Sequence, residues 1–479
     1  MIDGKIKKIM YFSLISLSFI SFIVVFLTND YSNCSFLCLL PLFFFIGVLL
    51  FSLVNKKNDL YLGTFIIIIS YFIRMVLTPI FMCFGNYFDY KDSSLPYDNA
   101  VLFMIYEFIF VFMILILYNK KKRYPINNLE QKNKNLNDEF NITKSLKYIL
   151  IILMLICFVF CILYPQILNS FKIGILSNSK LIQWQIKYNL SLNSTPKLIF
   201  YLVSWCIKVL KEVIIFSILL YIKRKNKTKD KNIISFLVSI IIILIGALIS
   251  DDTLAQNIYF ALIYFLMLTE FYPKYKKSIY YILGFTICFI FFFGLFNEKI
   301  ANGNFQEISY NIANTLQVYF TGVYNVAVSL KLEVSNPFKI ILGDVLRSIP
   351  LFKTFFVNME TSTTVFCSYI NDKYNSQIVP SLGQSIFFVG KLFAPIISVI
   401  FTFLALKYER EIKNKKNYFD KFIYYVIIVK LSCIPVIYNA QIFLQGFFGL
   451  ILPLLLINLF NKRRYNYDWK EDPLLLVWW

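Results

Sequence analysis

Residues 343–350 read Gly-Asp-Val-Leu-Arg-Ser-Ile-Pro, a compact polar group in a strongly apolar chain. Asp344 and Arg347 stand three residues apart, so one helical turn puts both on one side. Arg347 would suit a phosphate through its two-pronged guanidinium, and Asp344 would serve as an orienting group or a base. The same spacing equally describes a surface ion pair on a short helix, which contributes little. Upstream lie Asn311, Asn314, Gln317, Tyr319, Thr321, Tyr324 and Asn325. Amides mixed with aromatic faces suit sugars, which want planar hydrogen-bonding groups and rings to stack on. They equally suit a re-entrant helix wetted on one face. Lys353 adds a cation downstream, and Val379-Pro380-Ser381-Leu382-Gly383-Gln384 then leads into an apolar run containing Gly390, Lys391 and Pro395. Asp344 and Arg347 are the candidates for catalysis. Tyr324, Asn325, Lys353, Gln384 and Lys391 are candidates for holding a substrate.

A second group of residues carries charge inside apolar runs: Arg74, Glu107, Lys208, Lys211, Glu212, Lys391 and Lys430. Each costs roughly 2.5–3.5 kcal/mol to bury in lipid, which marks it as a functional candidate. Lys208 and Glu212 are four apart and can neutralise one another on one helix face. Glu107 could be the counter-ion of Arg74 or of Lys391. Arg74 precedes Pro79 by five residues, where a kink could open a polar pocket, and it joins the substrate-binding candidates. The set is net cationic, which suits an anionic group such as a lipid-linked pyrophosphate.

The elements that must position these residues are membrane spans. Of 479 residues, 58% are hydrophobic, including 52 Phe and 33 Tyr. A soluble domain of that size has too little interior for so much apolar surface. The expected fold class is an all-α polytopic membrane protein with about twelve spans of bilayer length. They fall at 9–28, 35–54, 60–84, 99–118, 146–165, 196–222, 233–249, 254–271, 279–296, 381–406, 422–439 and 441–460. The first follows Lys5, Lys7 and Lys8 but lacks a small-residue cleavage site, so it reads as a retained helix. Joints rich in Lys and Arg alternate with joints that lack them, and about two thirds of the basic residues fall on the side of the N-terminus. The positive-inside rule makes that side cytoplasmic and puts both termini there. The net charge of +21 is then mainly a topology signal, with anionic membrane lipids rather than nucleic acid as its partner.

The 297–380 segment, between spans nine and ten, becomes a large external loop. It holds six basic and six acidic residues and is near neutral. A second external segment, Gln166 to Pro196, reads as an interfacial helix or as a wall of a cleft shared with that loop. Residues 119–147 read as a solvated cytoplasmic linker. The chain is a single integral membrane domain over 1–479. It has no histidine, which excludes His-based acid–base catalysis and most zinc sites. Its nine cysteines form neither a disulfide framework nor a ligand set. No phosphate-binding loop, dinucleotide fingerprint or HExxH is present, and no cofactor or metal is expected.

The order of these features resembles the oligosaccharide repeat-unit polymerases of bacterial surface polysaccharides, the O-antigen polymerases of Wzy type. The shared marks are about nine spans, a large external loop with a Gly-Asp-x-x-x-Ser-Ile-Pro-like segment at 343–350, and then a Pro-x-x-Gly-Gln/Glu entry, here Pro-x-x-Gly-Gln at 380–384, into a Gly-containing span. The resemblance covers the whole chain in topology and mainly 343–350 and 379–395 in motif. It implies a metal-independent, inverting glycosyltransferase of GT-C-like architecture in the cytoplasmic membrane of a bacterium. Its substrate would be an undecaprenyl-pyrophosphate-linked oligosaccharide, and its product O-antigen or capsule. A flippase and a chain-length regulator would be partners. External arginines of that family handle the pyrophosphate, which maps here onto Arg347 and then Arg74. Related ligases use a histidine, which this chain lacks, so a base would be Asp344 first, then Asp251, Asp252, Glu360 or Asp372. A lipid-linked oligosaccharide flippase, an O-antigen ligase and a lipid-phosphate-sugar glycosyltransferase are the other expectations.

Overall fold

The computed structural model describes residues 4–55, 61–120, 144–163, 197–225, 229–248, 254–295, 304–371, 377–415 and 417–467. The described residues are helical, with no strand among them. That follows from the solvent: in hydrocarbon every backbone N–H and C=O must be satisfied within its own segment. Among the described residues, six helices are long and apolar enough to cross a membrane: Lys7–Thr28, Ser32–Val54, Leu62–Phe84, Tyr97–Asn119, Lys391–Asn414 and Ala440–Asn461. Lys147–Leu163, Ile233–Ala247 and Ile258–Phe271 are apolar but shorter. The remaining expected spans fall on the helices Lys197–Lys225, Lys276–Leu295 and Tyr418–Cys433. The 119–147 linker and the Gln166–Pro196 segment lie almost wholly outside the described residues, as do Asp251, Asp252 and Asp372.

The chain divides into two compact units. One comprises Met1–Lys134, Phe292–Lys413 and Ile427–Gln445. Its centre is aromatic. Phe44, Tyr71, Phe108 and Phe112 interlock, with the Phe108 and Phe112 rings 4.1 Å apart. Lipid tails are as apolar as these rings, so close packing rather than escape from water holds the helices together. The other unit comprises Asn135–Phe291, Asn414–Val426 and Gly446–Trp479. Phe216 packs there on Phe419 and Phe422, and Lys421 pairs with Glu270 at 2.5 Å. The catalytic and substrate-binding candidates all belong to the first unit, whereas Lys208, Lys211 and Glu212 belong to the second.

The 297–380 segment folds into helices rather than an open loop. Asn304 caps Phe305–Tyr319 by accepting from the Glu307 N–H at 2.8 Å. A turn at Phe320–Gly322 leads into Val323–Lys331. Asn336 caps Pro337–Leu346, and Thr361 forms a capping box with Thr364 at the start of Ser362–Tyr369. Phe305–Tyr319 and Val323–Lys331 form a hairpin inserted among the spans. An added Cβ at Gly85 would lie 2.4 Å from the Tyr310 nitrogen, so only glycine lets that helix pass. Eleven residues further down, Arg74 meets Thr321, itself eleven residues beyond Tyr310. Both stretches are about 16 Å of helix, which carries the hairpin tip to mid-span depth.

The expected span 381–406 is not one helix. Ser381–Val389 ends at Gly390, whose φ of 83° only glycine adopts readily, and a tight turn at Lys391–Phe393 leads into Ile396–Glu411. The continuous apolar run hid this break. Gly390 and Pro395 were its local marks. The expected span 422–439 likewise ends as helix at Cys433.

Candidate functional site

The hairpin tip is fixed by a buried ion pair. Arg74 Nη1 lies 2.6 Å from Glu107 Oε2, and their side chains are 1% and 0% exposed. Arg74 Nε donates to the Thr321 carbonyl at 3.0 Å. The other Glu107 oxygen accepts from the Ser398 hydroxyl and, at 3.2 Å, from Ser381 at the start of Ser381–Val389. A helix N-terminus favours a carboxylate there. Thr321 sits at φ 41°, a left-handed conformation costly for a non-glycine residue. Its hydroxyl donates to the Val436 carbonyl at 2.6 Å, which with Arg74 holds the turn. Two irregular points, the 320–322 turn and the start of the 381 helix, therefore meet on one ion pair with Ser398, and the 434–438 bend joins them through Thr321 and Ser381. Irregular backbone at membrane depth is tolerated where protein buries it in this way. Glu107 is the counter-ion of Arg74 and not of Lys391.

A second polar cluster surrounds Asp344. Its Oδ1 accepts from the Ser362 N–H at 2.9 Å and its Oδ2 from Gln384 Nε2 at 2.8 Å. Gln384 also donates to the Ser362 hydroxyl at 3.1 Å and accepts from the Ala440 N–H at 2.8 Å. Asp344 is 3% exposed. Burial pushes its carboxyl above the ordinary range, against the hydrogen bonds and the nearby Arg347 charge. Asp344 and Gln384, forty residues apart in sequence, are thus brought together. Arg347 is partly buried and donates to the Met359 carbonyl at 2.8 Å rather than bonding to Asp344. Asn325 is buried and donates to the carbonyls of Gln317 and Ile378. Lys353 is exposed on the short helix Phe352–Phe355.

Lys391 stands elsewhere, exposed beside an apolar groove of about 430 Å³ lined by Leu102, Phe103, Tyr106 and Leu392.

The third cluster lies where the hairpin meets the 85–96 connection. The Lys91 ammonium sits 4.9 Å from the Tyr324 ring centre, 5.0 Å from Tyr87 and 5.9 Å from Tyr310. It reaches Asn314 Oδ1 at 3.4 Å. The next residue, Asp92, lies 3.8 Å from Lys331, which also donates to Ser94 and ties the hairpin to this connection. Burial lowers the Lys91 pKa. The amides and tyrosines of residues 311–325 had suggested this chemistry, and Tyr324 and Asn314 do converge. Lys91, Tyr87 and Tyr310 were missed. The available signal was that Lys91 is the one basic residue in the 85–99 connection.

The clusters offer three kinds of chemistry: a buried ion pair that fixes backbone, a buried carboxyl whose pKa burial raises, and a cation among aromatic faces. Comparison of the chain with protein-family models, with curated proteins and with solved structures returns no match.

Proposed function

We propose that this protein is a membrane glycosyltransferase that polymerises lipid-pyrophosphate-linked oligosaccharide repeat units on the outer face of the cytoplasmic membrane. The observation that carries the reading is the inserted hairpin. It sets amides and tyrosine faces around a cation, a combination that suits the head of a lipid-linked sugar. The twelve-span topology, the GT-C-like architecture and the cytoplasmic location of both termini belong to the same proposal. A lipid pyrophosphate is a good leaving group, so transfer needs positioning and charge stabilisation more than a strong electrophile. Cations would hold the departing diphosphate, with Arg347 among them. Asp344, its proton affinity raised by burial, would take the proton from the acceptor hydroxyl.

A flippase is the second reading, favoured by one observation. Broken helices meet at mid-span on the Arg74–Glu107 pair, and discontinuous helices at that depth are a transporter device. Deleting the gene in its host separates the two. Loss of a polymerase leaves single repeat units displayed outside, whereas loss of a flippase traps lipid-linked units inside. An unchanged surface glycan removes both readings.

A further inference from the structure

We propose that Lys91, framed by Tyr87, Tyr310 and Tyr324, is the anchor for a phosphate group at the membrane surface, specifically the diphosphate of a lipid-linked sugar. This inference rests on the glycosyltransferase reading and names a residue for it that lies outside the 343–350 motif. An ammonium has three N–H donors. Among the described residues one protein oxygen lies within hydrogen-bond reach, Asn314 Oδ1, and at a long 3.4 Å. Among the described residues no carboxylate lies within 4.0 Å of Lys91, while neighbouring Asp92 is matched by Lys331 at 3.8 Å. The three ring faces attract the cation but accept no strong hydrogen bond. Lys91 is therefore partly desolvated, held in place and under-coordinated. It is still partly exposed, so a ligand can reach it.

The surroundings select the ligand. A cation with donors to spare takes an oxyanion, and a diphosphate offers the most oxygens per head group. The tyrosine faces would stack on the first sugar ring, and Asn311 and Asn314, a turn apart on the hairpin helix, offer amides to its hydroxyls. Gly85, in close approach to Tyr310, sets the hairpin against the helix that leads into the 85–96 connection. The cage is thereby assembled from two segments more than 200 residues apart in sequence, as the 223-residue separation of Lys91 and Asn314 shows.

Phosphate chemistry at this depth could come from a prenyl diphosphate or from the head group of a bulk anionic phospholipid. The test uses the full chain in phosphatidylcholine nanodiscs, titrated calorimetrically with farnesyl diphosphate, and again in nanodiscs containing phosphatidylglycerol. Saturable binding is expected in the first. Lys91→Gln should weaken it at least about tenfold, the weight of one charge-assisted hydrogen bond, and Lys91→Arg should restore most of it. Melting temperatures of both variants check that the fold is kept. Equal binding by wild type and Lys91→Gln overturns the proposal. Loss of the Lys91 dependence once phosphatidylglycerol is present overturns the diphosphate assignment in favour of a lipid head group. Surface glycan from cells carrying Lys91→Gln separates this inference from the reading beneath it. Weakened binding with normal long-chain glycan keeps the site and sinks the polymerase. Unchanged binding with glycan lost sinks the site and keeps the polymerase.

Discussion

At Asp344 a single carboxylate answers two buried donors, the Ser362 N–H and the Gln384 amide. Removing an acceptor leaves each donor desolvated, at about 1–3 kcal/mol apiece. Asp344→Ala should therefore lower the melting temperature of the purified protein and reduce its accumulation. A variant as stable as wild type would mean that water replaces the carboxylate. Acid should reveal the same residue. Burial makes the folded state hold this proton more tightly than the unfolded chain does. Such a group contributes its full stability below the ordinary carboxylate value, about 3.9, and loses it as pH rises through the raised one. The melting-temperature gap between wild type and Asp344→Ala should then widen as pH falls toward about 4, and a gap flat in pH would contradict the assignment. Arg347 is different in kind, because it is partly buried and among the described residues makes one hydrogen bond, to the Met359 carbonyl. Arg347→Ala should accumulate normally, with a stability loss of about 1 kcal/mol, yet abolish long-chain glycan. Long chains persisting in that strain would remove Arg347 from the site.

At the scale of elements, the Arg74–Glu107 pair decides whether the broken helices stay together. Removing one partner strands the other charge in a dry interior, which costs about 3–5 kcal/mol, whereas replacing both with apolar side chains is often neutral. Glu107→Ala should fail to accumulate, and the double variant Arg74→Met, Glu107→Leu should recover most of the loss in a thermal-unfolding assay. A double variant as poor as the single one would show that the Thr321, Ser381 and Ser398 contacts need the charges themselves. This level also shows what the sequence could and could not disclose. The long apolar runs at 9–28, 35–54, 60–84 and 99–118 became helices, because lipid leaves the backbone no other choice. The choice between Lys391 and Arg74 as the partner of Glu107 was illegible, since it depends on which helices lie side by side. The hairpin was half legible. Its polar face read as either a sugar site or a re-entrant helix, and its depth depended on the passage beside Gly85, which no local pattern encodes. Asp344 and Gln384 were each visible as polar residues in short motifs, but their contact was not.

At the scale of the whole chain, the Lys91 contacts constrain topology. Lys91 follows the Leu62–Phe84 span, and Asn314 and Tyr324 belong to the hairpin after Phe305. Their contact requires the 85–96 connection and the start of the hairpin to lie on one side of the membrane. The Tyr97–Asn119 helix is long and apolar enough to cross, and in the proposed topology it carries the chain to the opposite side. On the proposed topology, the stretch from residue 120 to residue 304 then crosses an odd number of times. Five described helices occupy that stretch, Lys144–Leu163, Lys197–Lys225, Lys229–Leu248, Leu254–Phe271 and Lys276–Leu295, and five crossings satisfy the parity. The charge pattern expects the same side for both connections on separate grounds, since it counts lysines and arginines in joints and not Lys91's neighbours. Single cysteines in a cysteine-free background test the agreement. Ser93→Cys and Gln306→Cys, both at exposed positions, should react with a membrane-impermeant maleimide in intact cells. Asn414→Cys, at the end of the Lys391–Asn414 span on the lysine-rich side, should react only after permeabilisation. If Gln306→Cys labels with Asn414→Cys instead of with Ser93→Cys, one of the five helices does not cross, and the hairpin could not reach Lys91 without passing through the bilayer.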